Sequence, residues 1–135
     1  MTYALDTTVV IAALSPWHES HELAQAACGP EARIPSHVLL EAYSVLTRAP
    51  EPFRVLPALA AEILSRSWEG RVLAPPASAM NEVPVVLARA GVSGGATYDG
   101  LVALTARSHD LTLLSLDRRA ERTYKALGVE HRFIG

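Results

Sequence analysis

Residues 3–14 have the sequence YALDTTVVIAAL, and this stretch decides the fold. Tyr3–Leu5 is a short apolar run that predicts a strand, and Val9–Leu14 has the composition of a helix. Asp6, or one of the two threonines that follow it, is suited to cap that helix at its N-terminus. A strand that leads through a capped turn into a helix is the first half of a parallel βαβ unit.

The same alternation continues along the chain. Further helices are predicted over residues 18–28, 36–48, 53–68, 82–90, 97–109 and 118–127. Further strands are predicted at residues 33–34, 71–74, 112–116 and 129–134, the last as an edge strand. Pro84 is expected in the first turn of its helix. Strands separated by helices indicate an α/β fold with a mostly parallel sheet covered on both faces, and 135 residues predict one domain over residues 1–135.

Composition narrows the class of protein. Half of the residues are hydrophobic and 19% are charged, which is typical of a globular chain. Cys28 is the only cysteine, which excludes an internal disulfide and a cysteine-based zinc cluster. The first apolar run, Val9–Leu14, is too short to cross a bilayer and follows no basic segment. A cytoplasmic location is therefore expected.

The charge balance argues against a broad nucleic-acid-binding surface. Twelve lysine and arginine residues stand against 14 aspartate and glutamate residues, for a net charge of −2. Any contact with nucleic acid must therefore use a local patch. The densest positive stretch contains Arg118, Arg119, Arg122 and Lys125. It is either such a patch or a solvated helix face.

Two aspartates directly follow predicted strands. Asp6 comes after the first strand and Asp117 after the strand over residues 112–116. Ligands of open α/β sheets bind beyond the carboxyl ends of the strands, so both side chains are expected at one edge of the sheet. The alternative is that each residue only caps a helix or a turn.

Two further acids are predicted on apolar helix faces. Glu41 follows Val38 by three residues and precedes Val45 by four, which places it on the stripe that its helix buries. Asp99 shares a face with Val102 and the small residues beyond it. A buried carboxylate is unfavourable without a cation or hydrogen-bond donors. The alternatives are a salt bridge or a wetter stripe edge for Glu41, and a favourable helix dipole for Asp99.

Four carboxylates in one cleft would repel one another, and a divalent cation would relieve that repulsion. Oxygen ligands without cysteine or a histidine cluster favour Mg²⁺ or Mn²⁺ over zinc. Such an ion activates water and stabilises charge on a phosphoryl group. The four acids therefore indicate phosphodiester hydrolysis.

Four short motifs in order resemble those of the PIN-domain nucleases, in particular the VapC toxins of bacterial toxin–antitoxin pairs. The motifs are residues 4–12 with Asp6, residues 40–48 with Glu41, residues 98–103 with Asp99, and residues 113–120 with Asp117. Their order and approximate spacing agree with the family from about Tyr3 to Phe133. Two positions depart from its usual pattern, since Gly100 stands where alanine is more frequent and Ser115 where threonine is.

The resemblance implies a five-stranded parallel sheet and an acidic pocket that binds Mg²⁺ or Mn²⁺. It also implies cleavage of RNA, a homodimer, and inhibition by a cognate VapB-like antitoxin. Asp6 and Asp99 would be the primary metal ligands, and Glu41 and Asp117 would complete the shell or position water. The hydroxyl groups of Thr7 and Ser115 match positions that support the acids. Arg118 and Arg119, directly after Asp117, are the arginines expected to contact RNA.

The main alternative is a catalytically inactive PIN-like module that binds RNA or a protein partner. A zinc-protease site is disfavoured because His18 and His21 are three residues apart, whereas the His-Glu-x-x-His motif requires four. His37, His109 and His131 show no ligand spacing and are expected to be structural or exposed.

Overall fold

The computed structural model describes residues 2–135 and contains the predicted strand–turn–helix at the start of the chain. Strand β1 covers Tyr3–Leu5, and helix α1 covers Thr7–Leu14. Asp6 lies between them with an extended backbone, and its carboxylate accepts a hydrogen bond from the N–H of Val9 at 3.3 Å. The side chain thus satisfies one of the N–H groups that a helix N-terminus leaves unpaired.

Strands and helices alternate through most of the described chain. The remaining strands are β2 Ile34–Pro35, β3 Val72–Leu73, β4 Thr112–Ser115 and β5 His131–Phe133. The remaining helices are α2 His21–Ala27, α3 Ser36–Arg48, α4 Pro57–Ser67, α5 Ala77–Arg89, α6 Ala96–Ser108 and α7 Glu121–Ala126, the last preceded by a 3-10 turn at Arg118–Ala120. The predicted α/β fold class is confirmed.

The strand pairs are parallel. β4 lies between β1 and β5, and β2 pairs with β3. The two groups of strands are joined at Arg33, whose N–H donates to the carbonyl of Tyr3 at 2.8 Å and whose carbonyl accepts from the N–H of Leu5 at 2.9 Å. The spatial order is therefore β3-β2-β1-β4-β5. The five predicted strands are present, but regular pairing is interrupted between β2 and β1, so the sheet has a three-stranded and a two-stranded part.

The order of the strands reverses at β1. From β1 the chain moves outward to β2 and β3 on one side, and then crosses back to β4 and β5 on the other. Right-handed crossovers place α1–α4 on one face of the sheet and α5–α7 on the opposite face. The packing agrees, since α1 contacts α2 and α3, and α6 contacts α5 and α7. A crevice is expected where the order reverses, beyond the carboxyl ends of β1 and β4.

The core consists mainly of aliphatic side chains. Leu5, Ile34 and Leu113 on the strands are fully buried, and so is Val38 on α3. Tyr124 on α7 is only 1% exposed, and the larger Trp68 is 3% exposed. Within residues 2–135, no helix is both long enough and apolar enough to cross a membrane.

Helices α2 and α4 begin later than predicted, as does α7, which follows the 3-10 turn at Arg118–Ala120. α2 begins at His21, because residues before it form turns in which Nδ1 of His18 accepts the N–H of Ser20 at 3.0 Å. Local bonds of this kind compete with the helix. α4 begins at Pro57, which occupies the first helical position, where the missing N–H of proline has no penalty.

Helix α5 begins earlier than predicted, at Ala77, so the expectation that Pro84 lies in its first turn is wrong. Pro84 instead lies in the helix interior. Its ring removes one N–H from the helical ladder, and its exposed position lets water reach the carbonyl that loses this partner.

Gly100 is explained by the packing of α6 against α5. A β-carbon at this position would lie 2.5 Å from Cδ2 of Leu87 and 3.4 Å from Cγ1 of Val92. An alanine at position 100 would therefore require the Leu87 side chain to move, which accounts for glycine here despite its lower helix propensity.

Candidate active site

The crevice at the strand reversal contains the four acids that the sequence singled out. Asp6 directly follows β1, and Asp117 lies two residues beyond the end of β4. Glu41 comes from α3, and Asp99 comes from the first turn of α6. All four line one pocket of about 590 Å³. Four segments that are distant in sequence thus place carboxylates around the same space.

Asp6 is the most deeply placed of these acids, with only 4% of its surface exposed. Its Oδ2 accepts a hydrogen bond from the hydroxyl of Tyr124 at 2.9 Å, and its Oδ1 accepts from the hydroxyl of Thr8. Burial raises the pKa of the Asp6 carboxyl, while hydrogen bonds from Ser115, Thr8, Tyr124 and the N–H of Val9 oppose that rise. The carboxylate is therefore held in one orientation from several sides.

Glu41 lies at the edge of the buried stripe of α3, which corrects the expectation that it lies within it. Val38, Ala42 and Leu46 are buried, whereas 32% of the Glu41 side chain is exposed to the pocket side. Its Oε2 accepts a hydrogen bond from the hydroxyl of Thr7 at 3.1 Å. The position is thus the wetter stripe edge that was the alternative.

A histidine one turn earlier on α3 contacts the same carboxylate. Nε2 of His37 lies 2.7 Å from Oε1 of Glu41, but the two atoms are not aligned as a hydrogen bond. The contact is therefore an ion pair when His37 is protonated. The expectation that His37 has only a structural role or is exposed does not account for this contact.

Asp99 shows the combined effect of the cluster. Partial burial raises its pKa to about 6, and the negative charges of Glu41, Asp117 and Asp6 act in the same direction, while His37 opposes them. The other three acids thus lie close enough to Asp99 for their negative charges to raise its pKa. The predicted convergence of four carboxylates is present in the structure.

Asp117 both lines the pocket and caps the 3-10 turn that follows β4. Its Oδ1 accepts the N–H of Arg119 at 3.0 Å and lies 3.3 Å from Nε of the same residue. The backbone N–H of Asp117 donates to the hydroxyl of Ser115 at 3.0 Å. The capping role and a role in the pocket are therefore compatible.

The two arginines after Asp117 point to different places. Arg119 lines the pocket and has a 95% exposed side chain. The guanidinium of Arg118 lies 4.8 Å from the centre of the Phe133 ring and donates to the carbonyl of Gly135 at 3.3 Å. The structure brings Arg119 to the acidic pocket and directs Arg118 toward the C-terminal strand.

The sequence did not predict the contributions of Thr8, Tyr124 and His37, nor that Glu19 lines the same pocket as a fifth acid. Thr8 supports Asp6, while Thr7, for which a supporting role was predicted, donates to Glu41. Thr8 also accepts the N–H of Leu116 at 2.9 Å, which ties β4 to α1. Only the i, i+4 spacing of His37 and Glu41 was visible in the sequence.

The pocket is rich in oxygen ligands but is not arranged as a ready metal site. Among residues 2–135, no three histidine, cysteine, aspartate or glutamate side chains form a group that could already hold a metal ion. Both carboxylate oxygens of Asp6 and the Oε2 atom of Glu41 accept hydrogen bonds from hydroxyl groups, whereas Oε1 of Glu41 is buried without a hydrogen-bond partner in the described part of the chain. Hard cations accept such carboxylate ligands in variable number and with water, so the donor chemistry suits Mg²⁺ or Mn²⁺.

Fold and site together define an open α/β domain with a pocket at the reversal of strand order that is lined by the four predicted acids and by Glu19. The PIN domain pattern matches residues 3–126 of this chain. The chain therefore belongs to the PIN-domain family, as the four motifs predicted.

Two relatives make the similarity more specific. The chain is 40% identical over 127 residues to ribonuclease VapC40 of Mycobacterium tuberculosis, covering 94% of this chain and 95% of that protein. It is 39% identical over 127 residues to ribonuclease VapC27 of the same organism, covering 93% and 92%. The predicted resemblance to VapC-type PIN domains is confirmed.

A solved structure supports the fold. DNA-bound VapBC from Salmonella typhimurium matches with a TM-score of 0.71 at 19% identity, covering 100% of this chain and 99% of that chain. At 19% sequence identity this structural similarity supports the fold and nothing further.

Proposed function

We propose that this chain is a divalent-metal-dependent endoribonuclease that acts as the toxin of a toxin–antitoxin pair. The proposal depends above all on the convergence of Asp6, Glu41, Asp99 and Asp117 in one pocket. It is supported by similarity to two named ribonucleases over nearly the whole chain. Retention of all four acids favours an active nuclease over the inactive PIN-like module.

Asp6 and Asp99 are the proposed primary ligands of Mg²⁺ or Mn²⁺, and Glu41 and Asp117 complete the shell or position water. The raised pKa of Asp99 supports this assignment, because partial burial and the negative charges of the neighbouring acids both disfavour its charged form, and a cation would neutralise that charge. When bound, the ion would lower the pKa of a water molecule and stabilise charge on the phosphoryl group.

The protein contributes orientation. The hydroxyl groups of Tyr124 and Thr8 hold Asp6, and the hydroxyl of Thr7 holds Glu41. Ser115 orients the backbone at Asp117 and lies near Asp6, which is the supporting role proposed for it. Side chains restrained in this way lose little conformational freedom when a ligand binds.

Arg119 is the proposed phosphate contact. Its guanidinium is almost fully exposed beside the acidic pocket and pairs with Asp117. Arginine binds phosphate through paired N–H groups, so Arg119 is suited to the RNA backbone next to the cut. The contacts of Arg118 with Phe133 and Gly135 make it the weaker candidate.

A VapB-like antitoxin and a second copy of this chain are the proposed protein partners. Exposed apolar side chains support a protein interface, and they include Trp17, Leu40, Phe53, Leu56 and Leu59. Trp17 and Phe53 contact each other, with their ring centres 4.4 Å apart. The cytoplasm, where thiols stay reduced, would suit a protein with Cys28 as its only cysteine.

The first test is titration of Mn²⁺ by calorimetry on the wild type and on the Asp6→Asn and Asp99→Asn variants. Each substitution removes a ligand charge with little change of shape, so binding should weaken at least about ten-fold. Asp110→Asn is the matched control, because Asp110 lies outside the acidic pocket and asparagine tolerates its positive φ of 55°.

Cleavage of transcribed RNA should follow the same pattern. Wild type and Asp110→Asn should cut in the presence of Mn²⁺, whereas correctly folded Asp99→Asn should not. Metal binding that is indifferent to both pocket substitutions would reject the carboxylate site. Metal binding without cleavage of any RNA would favour the inactive module.

A further inference from the structure

A second pocket adjoins the acidic pocket. It has a volume of about 560 Å³ and shares Glu41 and Asp99 with its neighbour. The space between α3 and the start of α6 therefore continues directly from the four carboxylates. A substrate held at the acids would extend into this second pocket.

The second pocket has a flat aromatic wall. The rings of His37 and Tyr98 are stacked, with centroids 5.2 Å apart and planes inclined by only 11°. Tyr98 is 56% exposed although it lies in the first turn of a buried helix. A ring supported on one side by His37 still presents much of its surface to the pocket.

Positive groups complete the lining. Arg48 ends α3, and its Nε donates to the hydroxyl of Ser44 at 3.2 Å, so two lining residues restrain the guanidinium at the pocket. Gly95, at the N-terminus of α6, lies in the same lining, where no side chain caps the helix. Both features favour a phosphate in this pocket on the parts of its lining away from Glu41 and Asp99.

We propose that the pocket formed by His37, Tyr98 and Arg48 binds one unpaired nucleotide next to the phosphodiester bond that is cut. The base stacks on Tyr98, and its phosphate contacts Arg48. This assignment rests on the proposed ribonuclease function. It restricts the substrate to RNA that is single-stranded beside the cut, because a base inside a duplex is covered on both faces by its neighbours and cannot stack on Tyr98.

The composition of the pocket favours a nucleotide over a peptide. Leu40 is the exposed apolar side chain of the lining besides the aromatic pair, and the other groups are polar or charged. A flat ring beside an arginine matches a base and its phosphate, whereas a peptide helix would require a row of apolar contacts.

The test measures kcat and KM on a short single-stranded RNA that carries the cut site mapped with the wild type. Tyr98→Ala should raise KM roughly ten-fold and leave kcat nearly unchanged, since stacking holds the substrate before and during reaction. Tyr98→Phe keeps the ring and should behave as the wild type. Arg48→Ala should raise KM several-fold, whereas Arg66→Ala, an exposed arginine paired with Glu62 on α4, should not.

A second measurement removes the base instead of the ring. In a series of the same RNA with one abasic position each, one position beside the cut should raise KM for the wild type. The same change should have no further effect on Tyr98→Ala, because the two partners act as a pair.

Other outcomes overturn the proposal. A KM of Tyr98→Ala within two-fold of the wild-type value would reject the nucleotide site while leaving the ribonuclease intact. A fall in kcat together with weaker Mn²⁺ binding would show that Tyr98 only positions His37 and Glu41. Loss of antitoxin binding with unchanged KM would assign the pocket to the protein partner. Absence of any RNA cleavage by the wild type would reject the proposed function and this site with it.

Discussion

The carboxylate of Asp6 is nearly buried, and its neighbours limit the ways in which it can turn. Tyr124 donates to Oδ2, while Thr8 and the N–H of Val9 donate to Oδ1. Burial favours the protonated carboxyl, and each of these donors favours the charged form. The balance between burial and these hydrogen bonds determines how readily the Asp6 carboxyl loses its proton and binds a metal ion.

Tyr124→Phe tests that balance. The substitution keeps the buried ring but removes a hydrogen bond to a carboxylate, so the free energy of unfolding should fall by about 2 kcal/mol. Mn²⁺ binding should weaken several-fold, because the pKa of Asp6 would rise further. Urea unfolding and calorimetry check both effects. Tyr43→Phe, on α3 and outside the pocket lining, is the control, and equal behaviour of the two variants would contradict the role given to Tyr124.

Asp99 provides a prediction about pH for the metal-free protein. Its pKa in the folded state is raised to about 6, above its ordinary value near 4. The contribution of the Asp99 carboxyl to the free energy of unfolding is fully present below pH 4. It is lost as the pH rises through 6, because the folded protein must then hold an unfavourable charge.

Asp99→Asn removes that charge. In a metal chelator, the variant should therefore be more stable than the wild type at pH 7.5, by about 1 kcal/mol after allowance for the partial exposure of the carboxyl. The difference should vanish near pH 4. Urea unfolding at the two pH values measures it, and a variant that is less stable than the wild type at pH 7.5 would contradict an unfavourable charge on Asp99 from its burial and its acidic neighbours.

At the scale of secondary-structure elements, the strands are short and the helices carry much of the site. β1 and β4 each end within two residues of a pocket aspartate, but Glu41 and Asp99 are presented by α3 and α6. These two helices contact each other across the reversal point. Their relative placement therefore determines the width of the acidic pocket and of its neighbour.

Pro84 lowers the stability of helix α5, because it interrupts the hydrogen bonds of the helix interior. The residue is exposed in the helix interior, so Pro84→Ala restores an N–H and removes a clash without disturbing the core. The free energy of unfolding should rise by about 1–2 kcal/mol in urea titrations. Val85→Ala, the neighbouring exposed position, should change it by less than about 0.5 kcal/mol. An unchanged or lower stability of Pro84→Ala would mean that the bend it causes is needed for packing.

At the scale of the whole molecule, metal binding should stabilise the fold, because the four acids come from segments that unfolding separates. At a Mn²⁺ concentration 100 times its Kd, the free energy of unfolding should rise by about 3 kcal/mol. A chelator should reverse the increase. Thermal unfolding with and without Mn²⁺ measures it, and a comparable gain in the Asp6→Asn, Asp99→Asn double variant would place the binding elsewhere.

Much of the fold could be predicted from local pattern. The strand at Tyr3–Leu5, the cap at Asp6 and the helix over Ser36–Arg48 follow from composition, turn chemistry and apolar spacing. Errors occurred where two local preferences compete, as at Pro84, where a helix continues through a residue that usually ends one. The interruption of the sheet at Arg33 has no local signal, because pairing depends on a strand from another part of the chain.

The sequence by itself determined the fold class, the identity of the four acids and the resemblance to PIN domains. Each depends on residue type and on spacing within one segment, which the order of residues states directly. Only the tertiary structure decided that Tyr124 holds Asp6 across 118 positions, that His37 contacts Glu41 and stacks on Tyr98, and that Arg119 and not Arg118 faces the pocket. The reason is physical, because such contacts arise when packing brings distant segments to one place, and no periodicity within a segment encodes its neighbours in space.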